Sequence, residues 1–257
     1  MVYKLIQFVL YYIVLFCLFI YQSKADTISN VAHFPIQKER YSVRYQPLIL
    51  ASGLIGFGIA SQTTPTLRRL DRNTKHYANR IFDRKTHIDD FLQYSPALAV
   101  YALDMTGLKA KHSIAYRTAT MTTAAVLAAG TVHALKRSTA VVRPDGSNTK
   151  SFPSGHTATA FIGAHMLFRE YQDENIWVAS TGYIVAISTG MLRILNDKHW
   201  FSDVAAGAGF GILSTELSYL LTPKLKNILE RTTNKKNTIV IPDLSGDYPT
   251  LKVAIYF

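Results

Sequence analysis

Apolar positions gather into runs separated by polar, mostly basic connectors, and from Asp90 onward the runs become regular. Residues 90–107, 113–135, 155–168, 176–195 and 201–221 each read as a helix rich in Ala, Gly, Thr and Ser. Small residues of that kind let helices approach closely inside a bilayer, and Gly207-Ala208-Gly209 followed by Gly211 concentrates them in the last run. Upstream, Pro47 to Ser61 is apolar with three glycines but short for a span at about 15 residues, as a tilted or partly inserted helix would be. The chain opens with Lys4, an apolar run from Leu5 to Tyr21, and Ser23-Lys24-Ala25. That pattern fits a signal peptide cleaved after Ala25, with an uncleaved anchor as the alternative. Near the end, the β-branched and aromatic stretches 238–241 and 250–257 flank a turn-rich insert, which predicts a small hairpin.

These elements predict an all-α fold: an integral membrane bundle of about five to six helices with a short β-like C-terminal tail. The expected divisions are 1–25 (signal or anchor), 26–87 (polar and basic lead-in with a short apolar helix), 88–223 (the main helical domain) and 224–257 (tail). Composition agrees, since 48% of residues are hydrophobic and only 18% charged. A mean hydropathy of +0.08 requires polar segments between the apolar ones.

The formal charge of +11 points to an anionic partner, and with no nucleic-acid-binding motif present that partner is a lipid. Between residues 62 and 87, Arg68, Arg69, Arg72, Lys75, Arg80, Arg84 and Lys85 lie beside Leu67, Leu70, Tyr77, Ile81 and Phe82. This is the composition of an interfacial amphipathic helix that captures anionic headgroups, and equally that of a solvated basic loop. The single Cys17 excludes an intrachain disulfide or a cysteine metal site, and the bulky Phe16 before it makes a poor lipoprotein processing site.

Chemistry is concentrated in three segments. Lys136 and Arg143 supply fixed positive charge, and Pro153-Ser154-Gly155-His156 then forms a turn entering a small-residue helix. Amides from Ser154 to Thr157 at such a helix start favour an anion, with His156 at the rim able to exchange a proton. Arg193, His199 and Asp203 form the third segment. On a helix starting near Trp200 the four-residue spacing puts His199 and Asp203 on one face, where the carboxylate accepts from one ring nitrogen and leaves the other as a nucleophile.

The three segments, Lys136-x6-Arg143-Pro144, Pro153-Ser154-Gly155-His156 and Arg193-x5-His199-x3-Asp203, together resemble the signature motifs of the type 2 phosphatidic acid phosphatase (PAP2) superfamily, which also contains vanadium haloperoxidases. The resemblance covers roughly residues 89–223; one departure is Leu192, where the family often carries Ser or Thr. It implies a metal-independent membrane lipid phosphatase that needs no cofactor. In it His199 attacks phosphorus to give a phosphohistidine, Asp203 supports the ring, His156 serves as acid and then base, and Lys136, Arg143, Ser154, Gly155 and Arg193 bind phosphate. Among substrates, lipid A fits best beside undecaprenyl diphosphate and phosphatidylglycerophosphate. A vanadium-dependent haloperoxidase and a non-catalytic membrane scaffold are the other classes weighed.

In an up-and-down bundle the three motifs share one face of the membrane. Lys109 and Lys111, with Lys224, Lys226, Arg231, Lys235 and Lys236, lie toward the other face and favour a periplasmic site in a bacterial inner membrane, whereas the basic 62–87 segment argues the other way. The resemblance also implies the outward site. His33, His76, His87, His112, His133 and His165 show no ligand spacing, and Asp89-Asp90 reads as an acidic helix start. Oligomeric state has no signature in the sequence.

Overall fold

A computed structural model describes residues 45–82, 85–233, 237–243 and 250–256, with side chains up to Leu225. All of these fall within one compact unit, Tyr41–Phe257. The expected signal or anchor at 1–25 and Cys17 lie outside the described residues.

Eight α-helices follow in order: α1 (Tyr45–Thr63), α2 (Pro65–Ile81), α3 (Ile88–Leu92), α4 (Ser95–Ala102), α5 (Ile114–Thr139), α6 (Gly155–Tyr171), α7 (Ile176–Leu195) and α8 (Phe201–Thr233), with a 3-10 turn at Leu103–Thr106. Among the described residues, three stretches are long and apolar enough to cross a membrane: Ile114–Thr139, Ile176–Leu195 and Phe201–Leu225. The pair α1 and α2 meets the same test jointly but bends by 98° at Thr64. Val126, Trp177, Ile184, Ile187 and Met191 turn outward, as lipid-facing positions of a membrane bundle do.

Helix starts follow ordinary capping chemistry. Ser113, Ser154 and Asn175 accept from first-turn amides of α5, α6 and α7 through their side-chain oxygens. The single helix expected over 90–107 is instead broken into α3, α4 and the 3-10 turn. Pro96 sits in the first turn of α4, where its missing N–H costs nothing, and Gly107 ends the run at φ 82°. The last helix runs beyond the expected end at 221, carrying Pro223 within it. Strands Asn237–Asp243 and Thr250–Tyr256 pair antiparallel with Val240 opposite Val253, as the hairpin pattern predicted.

Small residues on α8 set the packing. A Cβ on Gly207 would lie 2.5 Å from the Ser154 carbonyl oxygen of α6, and one on Gly209 would lie 2.7 Å from the Ala51 oxygen of α1. The two glycines therefore bring different backbones against α8. Gly58 approaches Ala206 while Ala51 approaches Gly209, so α1 runs antiparallel to α8 and reaches the α8 start with its own C-terminal end.

Two histidines within the bundle are paired with carboxylates. His165 meets both Tyr183 and Glu216, the latter at 2.7 Å, and Arg169 also donates to Glu216. His112 contacts Glu170 at 2.9 Å, and Tyr219 donates to the same carboxylate. The sequence offered no partner for these two histidines because each carboxylate lies about fifty or more residues away in the chain.

Candidate active site

The C-terminal end of α5, the N-terminal end of α6 and the α7–α8 junction meet at one end of the bundle. Backbone bonds join them: Ser151 N–H donates to the Val141 carbonyl, Ser154 N–H to that of Asp203, and Asp145 N–H to that of Asp197. The Trp200 indole adds a bond to the Val142 carbonyl at 2.8 Å. Asp197 adopts φ 56°, a left-handed turn that a short polar side chain tolerates, and the Lys198 and His199 amides fold back onto the Arg193 carbonyl.

His199 is 2% exposed, and its Nδ1 lies 3.6 Å from Asp203 Oδ2. The expected four-residue pairing is present, but the separation exceeds a hydrogen bond. Asp203 Oδ2 instead accepts from the Ser151 hydroxyl and from the Trp200 amide at 2.9 Å. These two donors fix a fully buried carboxylate at the foot of the imidazole. With Nδ1 turned to Asp203, Nε2 is the nitrogen directed away from it. Burial first, and then the Lys136 and Arg193 charges, outweigh Asp203 and push the His199 pKa down to about 4, so the ring is neutral at pH 7.

Two cations act on this ring, and a third stands beside them. Arg193 on α7 and Lys136 on α5 both act on His199, and Arg143 in the intervening loop is repelled by Arg193. Burial and that repulsion lower the Arg143 pKa. Lys136 Nζ is held by the Lys150 carbonyl at 2.7 Å. Arg143 Nε and Arg193 Nε are buried without an acceptor among the described residues, an arrangement of like charges chemically suited to receive an anion.

At the α6 start the donors differ from expectation. Ser154 N–H is committed to Asp203 and Thr157 N–H to the Ser154 side chain, so neither is available to an anion. Ser154 itself is fully buried and works as the helix cap. Gly155 N–H and His156 N–H have no acceptor among the described residues and remain as the first-turn donors. His156 sits at the same end as His199, and both rings feel Arg193.

Two residues taken from sequence only as an acidic helix start belong to this constellation. Asp89, 1% exposed, accepts from the Arg193 guanidinium and, at 2.9 Å, from Asn196 Nδ2. Asp90 Oδ1 meets His156 Nε2 at 2.9 Å, and that contact holds the Asp90 carboxyl below its ordinary pKa. His156 thus has a carboxylate partner, as His199 does. Asp89, Asp90 and His156 offer ligand atoms within 4.8 Å of one another, a possible cation cluster. Arg193 already supplies a positive charge to Asp89 there, so the carboxylates are balanced by protein groups. The near-absence of charge in the neighbouring apolar run was the one sequence signal that could have singled out this pair.

The fold is that of a helical membrane bundle, with cations and paired His–Asp groups gathered at one end. Residues 117–227 match the PAP2 superfamily model. Over 138 residues it is 40% identical to a lipid A 1-phosphatase of Porphyromonas gingivalis, covering 53% of this chain and 31% of that protein. Over 79 residues it is 34% identical to the bacitracin transport permease protein BcrC of Bacillus licheniformis, covering 30% and 36% respectively. The chain thus spans about a third of the length of each of these relatives. A solved PAP2-type phosphatidylglycerolphosphate phosphatase from Bacillus subtilis aligns with a TM-score of 0.46 at 19% identity, over 70% of this chain and 98% of that one.

Proposed function

We propose that this protein is a membrane phosphatase that hydrolyses a phosphate monoester of a lipid, with lipid A the foremost candidate because a similar protein is a lipid A 1-phosphatase. The observation that carries the reading is the gathering of Lys136 and Arg193 on a neutral, buried His199 with Arg143 beside them, two guanidinium donors lacking an acceptor among the described residues.

In the first step His199 Nε2 attacks phosphorus in line. The bond from phosphorus to the lipid oxygen breaks as the nitrogen–phosphorus bond forms, and His156 delivers a proton to the departing oxygen. Lys136, Arg143 and Arg193 hold the three remaining oxygens, the guanidiniums with paired donors where a point charge would supply none. Gly155 and His156 amides add fixed dipoles. Asp203 steadies the imidazolium-like ring against separation of charge, and Asp90 aims His156. Water then attacks phosphorus, His156 takes its proton, the nitrogen–phosphorus bond breaks, and inorganic phosphate leaves. Proton transfer of this kind is worth about 10²–10⁴-fold.

The site faces the periplasm of the bacterial inner membrane in this reading, because Lys109, Lys111 and Lys224 stand at the opposite end of the bundle. Since α1 reaches the site with its C-terminal end, an outward site requires residue 45 to start on the cytoplasmic side. Labelling of Lys109→Cys from outside intact cells would reverse the orientation. For the chemistry, purified His199→Ala should release no phosphate above background and should form no acid-labile, base-stable phosphoenzyme from radiolabelled substrate. Near-normal release by that variant removes the nucleophile.

A further inference from the structure

Helix α2 has three distinct faces. Asp71, Lys75 and Ala78 turn toward the bundle, and the contacts of Asp71 and Lys75 fall on the rim of the site. Asp71 accepts from Ser202 N–H at 2.9 Å and from its hydroxyl at 2.7 Å, one residue before Asp203. Lys75 Nζ donates to the Pro144 carbonyl at 2.6 Å, one residue after Arg143, and stands 5.7 Å from the Trp200 ring. The Asn79 amide, turned so that its nitrogen donates, reaches the Asp197 carboxylate at 3.1 Å.

The second face is apolar and uncovered. Leu70 is 42% exposed, Tyr77 61% and Ile81 72%. At 3.6 residues per turn these three fall within a stripe about 40° wide. The third face is cationic. Arg69, Arg72 and Arg80 are exposed and form no ion pair among the described residues. The helix's single acid, Asp71, is buried in its Ser202 contacts; it feels the Arg72 charge but forms an ion pair with none of the three.

The bend after α1 sets the direction. α1 runs along α8 to the site end, and α2 then departs at 98° to it, which for an α8 that crosses the bilayer is close to the plane of the membrane surface. A helix in that plane with an apolar stripe and a row of unpaired arginines is complementary to an anionic leaflet. We propose that α2 is an in-plane helix whose Leu70, Tyr77 and Ile81 stripe enters the acyl boundary while Arg69, Arg72 and Arg80 meet the phosphates of anionic lipid headgroups. Through Asp71, Lys75 and Asn79 the same helix holds the loops of the site at headgroup height. The proposal stands on α2 alone and does not depend on the chemistry assigned to His199.

The test uses the full chain with Cys17→Ser in nanodiscs of phosphatidylcholine containing about one third phosphatidylglycerol. Nitroxide labels are placed singly at Tyr77→Cys, Ile81→Cys and His76→Cys. Labels at 77 and 81 should collide more with oxygen than with a water-soluble nickel chelate, and the label at 76 should show the reverse. Removing surface charge should then change lipid choice by about fivefold per arginine. Arg69→Gln/Arg72→Gln/Arg80→Gln, and separately the three Glu substitutions, should lower association of spin-labelled phosphatidylglycerol relative to phosphatidylcholine by at least that factor. Equal exposure of labels 76 and 77 to the chelate overturns the proposal in favour of a solvated helix. Exclusion of label 77 from both reagents overturns it in favour of a second copy of the chain on this face. An unchanged lipid preference in both triple variants overturns the headgroup contact.

Discussion

Gly207→Ala adds one methyl group where the α6 start and α8 touch, without altering any group assigned to chemistry. The new Cβ would sit 2.5 Å from the Ser154 oxygen and 3.2 Å from Thr157 Cβ, whereas ordinary contact begins at 3.4 Å. Both obstacles are rigid, one a backbone oxygen and the other a fully buried side chain. Relief therefore requires α6 and α8 to separate by roughly 1 Å, the usual response to overpacking at a cost of about 1–3 kcal/mol. The Ser154 N–H bond to the Asp203 carbonyl, 3.0 Å long, would stretch past its useful range. His156 on α6 and Asp203 on α8 would then lose register, and a misplacement of this size costs about 10²-fold in rate. Gly130→Ala provides the control, because nothing lies within 4 Å of its added Cβ. That variant should match the parent in rate and be equal or higher in stability, by up to about 1 kcal/mol. Phosphate-release rates and thermal unfolding in detergent, measured on both variants, decide the matter. A Gly207→Ala protein with parental kcat and midpoint would refute the close contact and with it the proposed meeting of the motifs.

With the His199 pKa near 4, ionisation of this ring should not limit kcat/KM above about pH 5, whereas an ordinary exposed histidine would do so near pH 6.5. Because the folded pKa lies below the unfolded one, the unfolded chain binds the extra proton between pH 6.5 and 4, and stability should fall as pH drops through that window; acid titration of the unfolding midpoint against His199→Gln tests the sign. Asp90→Asn should slow turnover by less than the loss of His156, within the about 10²–10⁴-fold of a full general acid. Its steady-state pH profile should shift while folding is retained, and an unshifted profile would remove Asp90 as the partner that orients His156. Arg193→Lys should lower kcat/KM by about 10²–10³-fold in phosphate-release assays, since a lysine keeps the charge but loses the fork that joins Asp89 to substrate oxygens.

Much of the architecture was legible along the chain. Helix periodicity, small-residue runs and capping residues such as Ser113, Ser154 and Asn175 are local, so α5 to α7 appear near their expected bounds. The motif residues were legible too, because order and spacing are sequence properties, and alternating helices bring their ends to one side. Details inside the site were not. The sequence could place a carboxylate four residues from His199, but not the Ser151 and Trp200 donors that hold it 3.6 Å away.

The chain by itself determined which segments are helical, which residues carry charge and ionisable rings, and that three separated motifs belong together. Tertiary structure alone decided that Asp89 answers Arg193 across 104 positions, that Asp90 answers His156 across 66, and that Asp71 ties α2 to the start of α8 across 131. The physical reason is range. Helix propensity and capping act over one turn and leave a periodic trace, whereas a buried charge finds its partner through the packing of whole helices, and such pairs share no spacing that a sequence could display.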